Sequence, residues 1–324
     1  MKYNPNITAA GPTQRIPKTL GAVLCALVFS CGAAFAAGEG TSAAQFLKIG
    51  AGSKPGAMAD AYTALADDVY ALYYNPAGMA RMARPQFAGQ LTNYFQDSDY
   101  GFLGFAYPFR DGSGETRHSI GVSIYSLKVN SLERRTQDTD NSAGLFDASD
   151  MAYSLSYACR VSRGLGLGAS AKYIRGQIDD VKASAFAMDF GAQYVFERLS
   201  LGVTVRNAGS KMKYGSEADF LPLGVFFGLG YRAGDALALA LETYKYRDYK
   251  LCGAFGADYT QELVRSALWG SLRAGYTTHN TDSDGFNGAT FGAGLKYSKT
   301  AFDFAWVPFG DLGNTFRYTL SVQF

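Results

Sequence analysis

From Pro85 onward the chain is a succession of runs in which apolar and polar residues alternate. Phe186, Met188, Phe190, Ala192 and Tyr194 alternate with Ala187, Asp189, Gly191 and Gln193. Leu199, Leu201, Val203 and Val205 alternate with Ser200, Gly202, Thr204 and Arg206, and Phe291, Ala293, Leu295 and Tyr297 with Gly292, Gly294 and Lys296. Successive side chains of a strand point to opposite faces, so a period of two predicts strands with one apolar and one polar face. Runs begin near Gln86, Tyr100, His118, Met151, Leu165, Ala185, Leu199, Pro222, Ala236, Leu251, Leu268, Ala289, Thr300 and Asn314. That predicts about fourteen strands of about ten residues, the length a tilted strand needs to cross a bilayer. The register of Leu237–Tyr246 is left open, because both of its faces carry apolar residues. The last run, Phe316 to Phe324, alternates without a break and stops on an aromatic residue.

Charged residues fall mostly on the face opposite the aliphatic one: Lys172, Asp189, Arg206, Asp258, Arg273, Lys296, Asp303 and Arg317. A soluble sandwich and a barrel in lipid both produce this pattern. An even strand count, an export segment and the terminal Phe324 select the barrel, with apolar side chains toward lipid and the charges in the lumen. The connections agree. With both termini periplasmic, the short links Ser162–Gly164, Glu197–Arg198 and Ser298–Lys299 lie inside. The long ones, around Asn130–Asp150, Asn207–Leu221 and Thr278–Gly288, lie outside, as such barrels show.

The first 37 residues read as the export segment. Lys2, Arg15 and Lys18 precede an apolar stretch, Leu20 to Phe29, and Ala34-Phe35-Ala36 forms a small-x-small cleavage site. A second reading, a lipid-attachment motif at Val28–Cys31, stays open. Cys25 and Cys31 belong to this segment. Cys159 and Cys252 remain, in separate strands, as small apolar fillers rather than a disulfide or metal pair.

Composition narrows the function classes. The 324 residues carry a net charge of +2 and no basic stripe, which argues against nucleic acid. No later run reaches the roughly 18 apolar residues of a spanning helix. The 22 Tyr, 23 Phe and 38 Gly suit interfacial aromatics around a crowded lumen. Catalytic chemistry finds little footing. His118 and His279 are the only histidines and lie near strand ends, no Cys/His cluster has zinc spacing, and Gly166-Leu-Gly168 precedes no helix. Asp138, Asp140 and Asp147 read as a solvated loop. No enzyme, cofactor or metal is expected.

Residues 38–84 differ from the rest. They are rich in Ala and Gly and lack alternation, so they predict a compact hatch inside the lumen ahead of a barrel over 85–324. Pro55-Gly56 predicts a short helix Ala57–Leu65, Asp67 suits the N-cap of a second helical turn, and Asn75-Pro76 forces a turn. Asp60, Asp67 and Asp68 are expected to pair with lumen cations such as Arg206, Arg273 or Arg317, because buried charges need partners. Asn75-Pro76-Ala77-Gly78 has two open readings, a gate or pocket element and a plain turn onto the first strand. Tyr62 joins these as a hatch residue.

The runs Phe46-Leu-Lys-Ile-Gly50, Ala59-Asp-Ala-Tyr-Thr-Ala-Leu-Ala-Asp-Asp68 and Tyr73-Tyr-Asn-Pro-Ala-Gly-Met-Ala-Arg-Met82 resemble the start of PorV/PorQ-type outer-membrane proteins. That family is similar to the FadL-like fatty-acid transporters. The resemblance spans Phe46 to Met82; beyond it, strand number and the terminal Phe324, an insertion signal for the barrel assembly machinery, support it. It implies a fourteen-stranded, all-β transmembrane barrel with its N-terminal segment in the lumen, in contact with membrane lipid. It also implies one of two duties. One is passage of hydrophobic small molecules, with selectivity set by the hatch and a gap in the wall. The other is service in type IX secretion, with cargo or secretion-system proteins as partners. A structural barrel with a closed lumen is the third reading.

Overall fold

The structure is a computed structural model, and it describes residues 38, 40–94, 98–135, 142–265, 267–279, 287–309 and 313–324. The export segment and Asp138 and Asp140 lie outside the described residues. Fourteen antiparallel strands form a closed barrel. They are β1 Gln86–Asn93, β2 Ser98–Arg110, β3 Thr116–Arg134, β4 Gly144–Arg160, β5 Leu165–Ile178, β6 Val181–Phe196, β7 Leu199–Gly209, β10 Gly224–Ala233, β11 Leu237–Tyr246, β12 Leu251–Val264, β13 Leu268–Thr277, β14 Ala289–Tyr297, β15 Thr300–Pro308 and β16 Asn314–Gln323. A small hairpin, β8 Lys211–Tyr214 and β9 Glu217–Phe220, occupies the connection from β7 to β10. The last strand closes the barrel on the first: Gln86 pairs with Gln323 and Asn93 with Phe316. Closure leaves no sheet edge, which is what lipid demands of a backbone that finds no water to bond.

The alternation read from sequence becomes two surfaces. Leu103, Leu155, Phe186, Leu241, Leu272 and Leu320 stand exposed on the outside, while their strand neighbours Phe102, Ser154, Ala185, Glu242, Arg273 and Thr319 are buried in the lumen. An outward apolar skin over a polar interior suits a barrel in lipid and would be costly in water. No described helix is long and apolar enough to cross a membrane.

One end of the barrel has only short links, such as Glu197–Arg198 and Ser298–Lys299; the other carries the longer ones. One of those, Asn130–Asp150, was misjudged from sequence. Most of Asn130–Asp150 is strand, because β3 runs to Arg134 and β4 starts at Gly144. A register shift between Val129 and Leu132 hides it, with Ser131 at φ 57 and its N–H bonded to the Asp147 side chain at 3.0 Å. An extra residue in a strand breaks the period of two and so conceals the strand. The stretch Asn207–Leu221 holds the β8–β9 hairpin.

Residues 42–82 thread the lumen from the long-loop end to the short-turn end, nearly all of them buried. Their structure is mostly turns: a 3-10 turn Gln45–Lys48, α1 Ser53–Gly56, α2 Ala71–Tyr74 and a 3-10 turn Pro76–Arg81. The expected helix Ala57–Leu65 does not form. Ala59 and Asp60 are both left-handed, at φ 54 and 59, which ends the helical path one turn after Ser53. Wall contacts hold that reversal: the Ala59 N–H donates to Thr290 Oγ1 at 3.0 Å, and Thr290 Oγ1 donates to the Ala57 carbonyl. Nor does Asp67 cap a helix. Tyr70 stands at the N-terminus of α2 without a side-chain cap; Asp68 accepts from the Tyr70 N–H at 3.1 Å, and Asp67 turns to Arg232 at 2.7 Å.

The wall accommodates this segment by omitting side chains. A Cβ on Gly168 would meet the backbone of Pro76 and Ala77; on Gly275, that of Met58 and Ala59; on Gly202, the Thr63 carbonyl. On Gly191 it would meet Asn75, and on Gly292, Ala57. Inward strand glycines from β5 round to β14 therefore line the track of the lumenal backbone, and their use here is close approach rather than freedom of φ.

Candidate functional site

Above this seated part of the segment, toward the long-loop end, lies a cavity of about 360 Å³. Tyr73 and Tyr74 of the lumenal segment, Phe226 of β10 and Tyr244 and Tyr246 of β11 supply most of its apolar wall. The rings pack as a set: Phe226 lies 5.4 Å from Tyr244 and 5.3 Å from Tyr246, and Tyr73 lies 4.7 Å from Tyr74. Gln45, Phe46, Lys48 and Ile49 border it as a strap.

The strap is anchored on one carboxylate. Asp248, between β11 and β12, accepts from Lys48 Nζ at 2.7 Å, from Gln45 Nε2 at 2.8 Å and from the Ser42 N–H at 3.3 Å. Burial opposes its charge, but the Lys48, Gln45 and Ser42 bonds outweigh burial and hold its carboxyl below the usual range. Near it, His279 packs against Tyr249 with ring centres 4.1 Å apart and planes tilted by 42°, and its Nδ1 lies 3.7 Å from Cys252 Sγ. Burial, then Lys48 and Lys250, push His279 down to about 4.

The cavity floor carries opposed charges. Asp60 accepts from Tyr74 Oη at 2.6 Å and from Arg317 at 3.1 Å, and Arg317 also reaches the Gly50 carbonyl. Glu242 accepts from the Thr63 N–H at 2.9 Å. Arg206 is different. It is 4% exposed, forms no ion pair among the described residues, and its Nε has no hydrogen-bond partner. Its guanidinium lies 3.3 Å from the Phe226 ring centre and 5.0 Å from that of Tyr73. Aromatic faces stabilise a desolvated guanidinium by about 2 kcal/mol. They supply no acceptor for its N–H donors.

The residues singled out from sequence divide into three groups. Asp60 and Arg317 meet at the cavity floor, so one of the three expected carboxylate–cation pairings forms as named. Asp67 pairs with Arg232 instead, and Asp68 with Lys54 at 3.0 Å and Tyr62 Oη at 2.7 Å. Arg273 takes no carboxylate of the N-terminal segment, since Asp303 of β15 at 2.6 Å and Asp258 of β12 at 3.2 Å hold it. Lys172 and Asp189 pair at 2.6 Å inside the wall, where β6 and β7 shift register around Asn207. Lys296 is half-buried and reaches Gln323 at 3.3 Å. Phe324 lies at the short-turn rim, its N–H bonded to the Pro85 carbonyl.

Asn75 sits away from the cavity, 0% exposed. Its Nδ2 donates to the Thr63 and Ala192 carbonyls at 2.9 and 3.1 Å, and its Oδ1 accepts from the Ala77 N–H. It ties two turns of the segment to β6 and caps the 3-10 turn that Pro76 opens, while Gly78 leaves room for the Ala66 carbonyl. Glu242, Asp248 and the cavity tyrosines were not singled out from sequence. Glu242 stands at an inward position of the strand whose register was open, and Asp248 is an ordinary loop residue to any pattern.

No family model matches the chain, and no curated protein is similar enough to match. Solved structures do match. The chain is similar to the Ralstonia pickettii toluene transporter TbuX, with a TM-score of 0.60 and 13% identity over 85% of this chain and 98% of that one. It is similar to a Pseudomonas aeruginosa FadL homologue, with a TM-score of 0.59 and 11% identity over 85% and 99%. The Pseudomonas putida toluene transporter TodX gives 0.56 and 10% over 84% and 96%. At such identity the likeness is one of fold. The chain shares the barrel architecture of these proteins.

Proposed function

We propose that the protein takes hydrophobic small molecules bearing an anionic end, fatty-acid-like in character, into the cavity from the long-loop side, which faces outward. The observation that carries this reading is Arg206, a buried guanidinium that forms no ion pair among the described residues, set in an aromatic wall beside which Glu242 stands without reaching it. Burying a charge without a hydrogen-bonded counter-ion is expensive. A carboxylate on an apolar ligand supplies the missing acceptor, and the tyrosines and Phe226 receive its apolar part. Residues 42–82 act as the hatch that stops the ligand from falling straight through. The fold shared with hydrocarbon transporters and a FadL homologue agrees with this use of the lumen. The cavity is small, about 360 Å³, and the strap borders it, which suits a small molecule better than a secreted protein's tail.

The test is binding of dodecanoate and dodecanol to detergent-purified protein by tryptophan or dye-displacement fluorescence. Arg206→Met should weaken dodecanoate at least tenfold, equivalent to about 1.4 kcal/mol, and change dodecanol less than twofold. Equal loss for both ligands, or none for either, overturns the role given to Arg206.

A further inference from the structure

A second apolar depression lies on the opposite side of the wall, facing lipid. It has a volume of about 660 Å³ and runs across β1 to β6, between Phe87, Leu103, Val122, Leu155, Tyr173 and Phe186. Ala171 leaves it room, and the register shows what stands at its long-loop end. One row of paired residues reads Leu103, Ile124, Tyr153, Tyr173, Phe186. The next row toward the long-loop end includes Ser126, Met151, Arg175 and Ser184, and the one after it Asp99, Lys128, Ser149, Gln177 and Lys182. Lys128, Arg175 and Lys182 are exposed at outward positions. The β8 strand extends this patch along β6, with Lys211 and Lys213 exposed while Met212 between them is buried. Asp99, Glu133 and Asp147 are the acidic side chains at outward positions of these strands in this half; Glu133 is taken up by Arg135 and Asp147 accepts from the Ser131 N–H, both beyond the row of Lys128 and Lys182. The opposite wall, β11 to β16, carries a single basic side chain, Lys245, at an outward position in the same half, among the described residues.

A basic, hydroxyl-bearing rim directly above an apolar groove matches a phosphorylated lipid, with its phosphates at the rim and an acyl chain below. Charge at the lipid surface is where such pairing gains most, because a charged side chain facing acyl chains lower down costs a few kcal/mol. We infer that this face binds one phosphorylated, acylated glycolipid of the outer leaflet, with Lys128, Arg175, Lys182, Lys211 and Lys213 on its phosphates and an acyl chain against Ala171. This rests on the outward orientation of the long-loop end, not on the lumenal ligand.

The test uses full-length protein in nanodiscs of phosphatidylcholine containing a minor share of lipid A, dephosphorylated lipid A or phosphatidylglycerol, with retained lipid counted by native mass spectrometry. Wild type should retain one lipid A in preference to the other two. Joint Arg175→Glu and Lys182→Glu substitution should lower retention at least fivefold, as should Ala171→Trp, which fills the groove. Lys245→Glu on the opposite wall should leave it unchanged. Heat-modifiable migration on gels confirms that each variant is a closed barrel. Equal retention of lipid A and phosphatidylglycerol by wild type, or an effect of Lys245→Glu as large as that of the paired change, overturns the inference. Labelling of Asp180→Cys on whole cells with an impermeant maleimide reports the orientation separately.

Discussion

The two halves of the lumen solve opposite problems with the same strands. Toward the short turns, the wall gives up its side chains: Gly168, Gly191, Gly202 and Gly275 let the backbone of residues 57–77 lie directly on the sheet. Toward the long loops, the same strands carry Arg206, Phe226, Glu242, Tyr244 and Arg317, and the lumen opens into a cavity. Contact without intervening side chains leaves neither space nor solvent, so the lower half is a seal. Large side chains that meet imperfectly leave a pocket, so the upper half is a receptacle. On the proposed function, anything that moves on from the cavity needs the seated segment or the wall to shift.

The contrast predicts that the strap, held by one carboxylate, is the weakest link and responds most to a single change. Asp248→Ala removes the common acceptor of Lys48, Gln45 and Ser42 and leaves a mostly buried ammonium behind. Loss of one partner of a buried pair costs about 3 kcal/mol. Hydrogen exchange over residues 42–48 should accelerate about a hundredfold, while residues 57–77 stay protected. Protection lost equally in both would show that strap and seal open together.

The seal is broken from the wall side. Gly275→Leu drives a side chain into the Met58–Ala59 backbone, an overpacking worth about 1–3 kcal/mol. Liposomes holding this variant should leak small solutes faster than those with wild type, whereas a leucine at Gly253, whose Cβ would have ordinary room, should not leak. Asn75→Ala comes next. It deletes a cap and leaves the Thr63 and Ala192 carbonyls without their donor, at a cost of about 1–2 kcal/mol. Thermal loss of heat-modifiability a few degrees lower, with dodecanoate binding retained, would place Asn75 in the seal rather than in the receptacle.

How much of this was legible in the chain follows from the same division. The barrel was readable because side chains on a strand obey a strict period of two, and both surfaces of each strand report on their surroundings. Fourteen strands could be counted, and the misplaced connection, Asn130–Asp150, is where an extra residue interrupts the period, at Ser131. The lumenal segment was readable as an exception but not as a shape. Its path depends on consecutive left-handed residues, Ala59 and Asp60, stabilised by Thr290, more than two hundred positions later. Helix propensity in an alanine-rich stretch loses to such contacts. The ion pairs show the same limit. Inward position was visible for Arg206, Arg273 and Arg317, but partner choice depends on which strands lie close together, and Arg273 finds Asp303 and Asp258 before any carboxylate of the N-terminal segment can reach it.

The smallest expected effect is one of pH, and it concerns the strap. His279 is held near 4 by burial and by Lys48 and Lys250, against an ordinary value of 6.5. Above pH 6.5 the imidazole is neutral in both the closed and the released loop, and proton binding favours neither. Between 6.5 and 4 the released state binds the proton more readily, so stability falls as pH falls, by about 1 kcal/mol at pH 5.5. Asp248, with its carboxyl held low, keeps its charge through this window, so the loss belongs to the histidine. Exchange over residues 42–48 and 277–279 should be flat from pH 8 to 7, after correction for intrinsic rates, and should rise below 6.5. His279→Gln should flatten the profile over residues 42–48 and 277–279. A step of equal size in that variant would assign the pH response to Asp248 and remove His279 from the strap.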